Sequence, residues 1–123
     1  MKTTEIFELN NELNNIFVHP DILNKHSKGK EWSDIAFSNL KTVRYVTHKI
    51  WSGDAKPDRV EKYRYKTEKP FCGEKFREGE HLIFEETPEK DLTWKEFMTL
   101  VDNLVGRSGD KSHFFFEGFE IYS

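Results

Sequence analysis

The sequence predicts an α+β fold: a mostly antiparallel sheet of about four to five strands, an N-terminal helix, and a C-terminal helix–strand unit. Three observations carry this expectation. Helical spacing of apolar residues is confined to two stretches, residues 3–18 and 93–105. Between them lie β-prone runs punctuated by glycine, proline and aspartate. Those runs follow one another instead of alternating with helices, which favours antiparallel pairing.

In chain order, Ile6, Leu9, Leu13, Ile16 and Phe17 give the first helix one apolar stripe, with Thr3 or Thr4 as its cap. His19-Pro20 ends it, because a residue before proline is pushed out of the α region. Pro20 can open a short helical turn through Leu23, and 24–30 reads as an exposed loop. A long β-prone run follows from Ile35 to Trp51, with a break expected near Ser38-Asn39. Its second part, Thr42–Trp51, places Val43, Tyr45 and Thr47 on one face and Arg44, Val46 and His48 on the other. Neither face is cleanly apolar.

After the turn-rich segment 52–58, Arg59–Thr67 alternates Lys62, Arg64 and Lys66 with Tyr63 and Tyr65. The two runs are expected to pair as a hairpin through a loop of about six to eight residues. Gly73 and Gly79 suggest a bend before a strand at His81–Phe84. Thr93-Trp94-Lys95-Glu96 is a capping-box pattern, and Phe97, Leu100, Val101, Leu104 and Val105 continue as one helical stripe. Gly106 fits a left-handed cap. His113–Tyr122, apolar at odd and even positions, reads as an interior strand.

The chain has 123 residues, within the length prior for one domain, 1–123. Only 36% of residues are hydrophobic, but 15% are aromatic and eleven are phenylalanine, so a core of a few large rings is expected. The single cysteine, Cys72, excludes an internal disulfide and a cysteine-only metal site. No apolar run reaches the ~18 residues of a membrane span, and residues 1–5 lack a signal-peptide core, so a cytoplasmic protein is expected. Abundant Lys, Asn, Ile and Phe lean toward a bacterial or phage source. Net charge is −3, unlike a general nucleic-acid binder, but residues 41–70 carry a local +5 and residues 71–100 a local −4.

Several features are candidates for chemistry. The loop 106–111 offers Arg107, Ser108 and Lys111 to an anion, but it follows a helix, whose end has the wrong dipole sign for phosphate. A C-cap and turn is the plainer account. Cys72 has no neighbouring histidine signature and reads as a structural thiol. The five histidines form no metal-spaced pair in sequence, although His48 and His81 could meet across the sheet; no metal and no cofactor are expected. Glu85 and Glu86 point to opposite faces of a strand, and Glu117 with Glu120 reads as a charged edge.

The fullest constellation combines Arg44, His48, Lys62, Arg64 and Lys66 with Tyr45, Trp51, Tyr63 and Tyr65. Cations interleaved with flat rings suit a protein interface, a nucleotide, or a solvated strand face above a tyrosine core. The expectation is a small non-enzymatic binding protein of the phage or bacterial inhibitor type, occupying a protein partner through this surface. The main alternative is a binder of a small anionic ligand such as a nucleotide, set between subunits of a homo-oligomer. A second is a hydrolase or transferase using His48, His81 or His113.

Overall fold

The structure, a computed structural model, describes residues 1–39, 42–69 and 73–121. Four helices and five strands follow in the order α1 (Thr3–Glu12), β1 (Phe17–Val18), α2 (Pro20–Ser27), β2 (Val43–His48), α3 (Lys49–Ser52), β3 (Arg59–Lys69), β4 (Gly73–Glu86), α4 (Trp94–Ser108) and β5 (Phe115–Phe116). The fold is α+β, but the described strands form two sheets: an antiparallel one ordered β2-β4-β3 and a parallel pair β1-β5. This replaces the expected four- to five-stranded antiparallel sheet. Among the described residues no helix is long and apolar enough to cross a membrane.

The expected hairpin between residues 42–51 and 59–67 does not form; both strands pair with β4, one on each side. The reason lies in Leu82, Ile83 and Phe84, all buried, which make β4 apolar on both faces there. Only such a strand sits comfortably in the middle of a sheet. β3, with Lys62, Arg64 and Lys66 on one side, goes to the edge. Instead of bending before His81, β4 runs unbroken for 14 residues.

α1 stops at Glu12, short of the expected residue 18, and its N-cap is Lys2, not a threonine. Asp102, buried on α4, accepts the amide N–H groups of Asn14, Asn15 and Ile16 at 3.2, 2.8 and 3.0 Å, holding this segment out of the helix. Asn10 fixes the next step: its side chain donates to the Val18 carbonyl and accepts the Val18 N–H, both at 2.8 Å. The Pro20 turn extends to Ser27, taking in half of the expected loop, with Lys28 as a left-handed cap.

Among its described residues the Ile35–Trp51 run is strand only over β2; Ile35 makes an isolated bridge to Thr93, Asn39 has φ 61°, and Lys49–Ser52 turn helical. α4 starts as expected: Thr93 Oγ1 accepts the Glu96 N–H at 3.2 Å, and Glu96 accepts the Thr93 N–H at 3.1 Å. The helix runs past Gly106 to Ser108, and Gly109 (φ 70°) is the left-handed cap. The expected strand 113–122 shrinks to two residues, with Phe114 and Phe115 exposed and Gly118 at φ 135° turning the chain; Tyr122 lies outside the described residues.

One apolar cluster joins these parts, including Ile6, Leu9, Ile16, Val18, Leu23, Leu82, Phe84, Trp94, Phe97, Met98, Leu104 and Phe116. Each such side chain contributes about 1.5–3 kcal/mol on burial. α4 packs on β2 and β4, and the far half of the β3–β4 ribbon extends beyond β2, which ends at His48 opposite His81.

Candidate functional site: an aromatic face on a projecting ribbon

The register divides the basic and aromatic residues among three places. On the sheet face turned away from α4, β2 contributes Arg44 and His48, β4 His81 and Gly79, and β3 Tyr63 and Tyr65. Lys62, Arg64 and Lys66 lie on the opposite face of the ribbon, across from Glu80, Glu78 and Phe76. Tyr45 points inward, and Trp51 sits on α3, half-exposed, edge-on to His113 with centroids 6.4 Å apart.

The outward face has a charged end and an aromatic end. At the charged end, Glu85 accepts from Arg44 Nε at 3.1 Å and from Arg59 Nη2 at 2.6 Å, and Arg59 also reaches Glu61 at 3.2 Å. Hydrogen bonding from Arg59, reinforced by its charge and that of Arg44, holds the Glu85 carboxyl below the usual range. The charge of Arg44 is thus matched within the protein.

At the aromatic end, Tyr63 stacks on His81 at 4.2 Å and 23°, its hydroxyl meets His48 Nδ1 at 2.9 Å, and Tyr65 follows at 5.6 Å. Gly79 makes this possible: a side chain there would run into the Tyr63 ring, whose hydroxyl would lie 2.6 Å from the new Cβ. The His48–His81 encounter left open by the sequence does occur, with ring centroids 4.8 Å apart. Among the described residues no group of three His, Cys, Asp or Glu could hold a metal ion. On the other ribbon face, Arg64 lies 4.2 Å over the Phe76 ring.

The 106–111 segment is occupied from within. Arg107 donates twice to Asp58, at 2.9 and 3.0 Å, and Ser108 is buried with its hydroxyl on the Val105 carbonyl. Lys111 is exposed. At the centre is a residue that sequence reasoning passed over, Asp110. Its buried carboxylate accepts from Thr47 at 2.5 Å, His113 Nδ1 at 2.7 Å, the Ser112 N–H at 2.8 Å and Tyr45 at 2.9 Å. Burial works to raise its pKa, but Thr47, His113, Ser112 and Tyr45 outweigh it and hold it at about 2. Burial, with Asp110 behind it, pushes the Tyr45 phenol far up. An aspartate five residues beyond a helical stripe, directly after a glycine and with serines two positions to either side, was the available signal.

The remaining histidines have local partners: His19 caps α2 through the Asp21 N–H, and His26 packs on Phe119 at 4.5 Å. Cys72 lies outside the described residues. No protein-family model, curated protein or solved structure matches the chain.

Proposed function

We propose that this protein works by binding another protein through the β3–β4 ribbon, with Tyr63 and Tyr65 as the anchoring side chains. The observation that carries the reading is the row Tyr65–Tyr63–His81–His48 on the outward sheet face, exposed at its two ends, whose Tyr63 and Tyr65 lie beyond the end of β2. Stiff aromatic rings already held in place lose little entropy on docking, and Tyr is enriched among interface hot spots. A small anionic ligand such as a nucleotide has less support, since Glu85 engages Arg44 and the register sets Glu80 and Glu78 opposite Lys62 and Arg64. The test compares tagged wild type with Tyr65→Ser and Arg64→Ala as bait. A partner lost by at least about 30-fold in affinity on Tyr65→Ser, with an unchanged melting temperature, supports the reading. Undiminished capture by both variants refutes it.

A second reading, a histidine-dependent hydrolase or transferase, is favoured by one arrangement. Buried Asp110 accepts from His113 Nδ1 while the histidine side chain is 57% exposed. That leaves Nε2 as a base facing solvent. It predicts that His113→Ala abolishes an activity that His48→Ala and His81→Ala leave intact; an activity indifferent to all three removes this class.

A further inference from the structure

We infer that the outer edge of β3 is a strand-addition site for an extended, acidic segment of the partner; this rests on the ribbon being the protein-binding element. β3 spans 11 residues, pairs one-to-one with β4 from Arg59↔Ile83 to Lys69↔Gly73 without a bulge, and contains no proline. It ends the sheet order β2-β4-β3, so every second amide and carbonyl along about 35 Å of backbone points away from β4, with no strand opposite among the described residues. Edges this long and regular are ordinarily blunted by a bulge, a proline or a covering helix. Among the described residues this edge is guarded by charge alone, which repels a like-charged strand and leaves an oppositely charged one free to pair.

That charge selects the occupant. A second copy joined by a two-fold axis at Arg64 would set Arg64 opposite Arg64 and Lys62 opposite Lys66. Shifting the axis to Tyr63 or Tyr65 sets Lys62 against Arg64, or Arg64 against Lys66. Like charges directly opposite each other destabilise a strand pair. The inner neighbour shows the complementary solution, because β4 places Glu80 opposite Lys62 and Glu78 opposite Arg64. An incoming strand with acidic residues at alternate positions repeats that pattern on the free side. Its intervening residues fall beside Tyr63 and Tyr65, where apolar side chains fit. Backbone hydrogen bonds then supply affinity, and the alternating side chains supply specificity.

The experiment uses the full chain and three blocked synthetic peptides of about eight residues, near the usual strand length. One alternates Glu and Val, one alternates Lys and Val, and one is the Glu–Val peptide N-methylated at every second amide. Binding is read by fluorescence anisotropy, and its location by amide hydrogen exchange. The Glu–Val peptide is expected to bind and slow exchange along β3, while the other two bind far more weakly. Arg64→Glu should weaken it roughly five- to tenfold. If that variant's own ribbon loses protection, Arg64→Gln, which places no second acid opposite Glu78, provides the same comparison. Absence of Glu–Val binding, equal binding of the N-methylated peptide, protection away from β3, β3-mediated dimerisation, or preference for a single-stranded oligothymidylate would each overturn the inference. The Tyr65→Ser variant above leaves the β3 cations and backbone in place. Its loss of the partner alongside a failed peptide assay rejects strand addition alone, and retention of the partner by both Tyr65→Ser and Arg64→Ala rejects the ribbon reading itself.

Discussion

Asp102 lies on the apolar stripe of α4, four residues after Met98 and eight after Trp94, and its carboxylate gathers three consecutive amides of the segment after α1. Removing it leaves those amides without their acceptor, the Ile16 amide in a buried place and the other two part-buried, and a buried unsatisfied group is costly. Asp102→Ala should therefore cost about 2–4 kcal/mol, read as a lower urea midpoint, and Asp102→Asn should recover part of it. The stripe read from the sequence, Phe97, Leu100, Val101, Leu104 and Val105, leaves Asp102 out, and the amides it collects lie 86 to 88 residues away. Asp110 makes a different prediction. A carboxyl held near 2 in the folded chain, against about 3.8 when free, binds fewer protons folded than unfolded, so its stabilisation is present above pH 4. It is lost as pH falls from about 4 through about 2, an acid limb of about 1–2 kcal/mol. Asp110→Asn should flatten that limb in melting temperature against pH; an unchanged limb would place the acid sensitivity in surface carboxylates such as Asp58 and Glu85, whose pKa values are lowered too.

At the scale of elements, periodicity located α4, its capping box and the alternation of β3, because these are local properties of the chain. Strand partners were not legible, since pairing depends on which strand can tolerate two covered faces, and Ile83 reveals itself as buried only once Arg59 and Val46 stand beside it in register. Gly106 departs from its sequence expectation for a related reason. Its spacing points to a helix end, but it stands inside α4, where the Asn15 side chain, which donates to the Asp102 carbonyl at 3.1 Å, occupies the space of a Cβ. Gly106→Ala alone should therefore destabilise by about 1–2 kcal/mol in spite of alanine's better helix propensity. In an Asn15→Gly background the same change should become stabilising by up to about 1 kcal/mol, the propensity gain with the obstruction removed. A double-mutant cycle by urea unfolding measures this, and additive effects would show that the two residues do not compete for the space.

Across the whole molecule, the segment after α1 and the C-terminal segment meet. β1 pairs in parallel with β5, and beyond the Gly118 turn Phe119 packs on Phe37, Trp94 and Phe97 at 5.3, 6.2 and 5.5 Å, with His26 at 4.5 Å. Residues from α2, the 31–39 segment, α4 and the C-terminal segment therefore meet around one ring, so the final segment seals the core instead of forming an interior strand. If this seal belongs to the same cooperative unit as the β2-β4-β3 sheet, Phe119→Ala should lower stability by about 2–3 kcal/mol while leaving the steepness of urea unfolding unchanged. The same variant should leave the β3–β4 ribbon, and the partner binding proposed for it, in place, since none of these ring contacts involves β3. A shallower unfolding curve, with α1 and α2 amides exchanging before those of β4, would instead divide the molecule into a sheet that holds alone and helices that depend on Phe119.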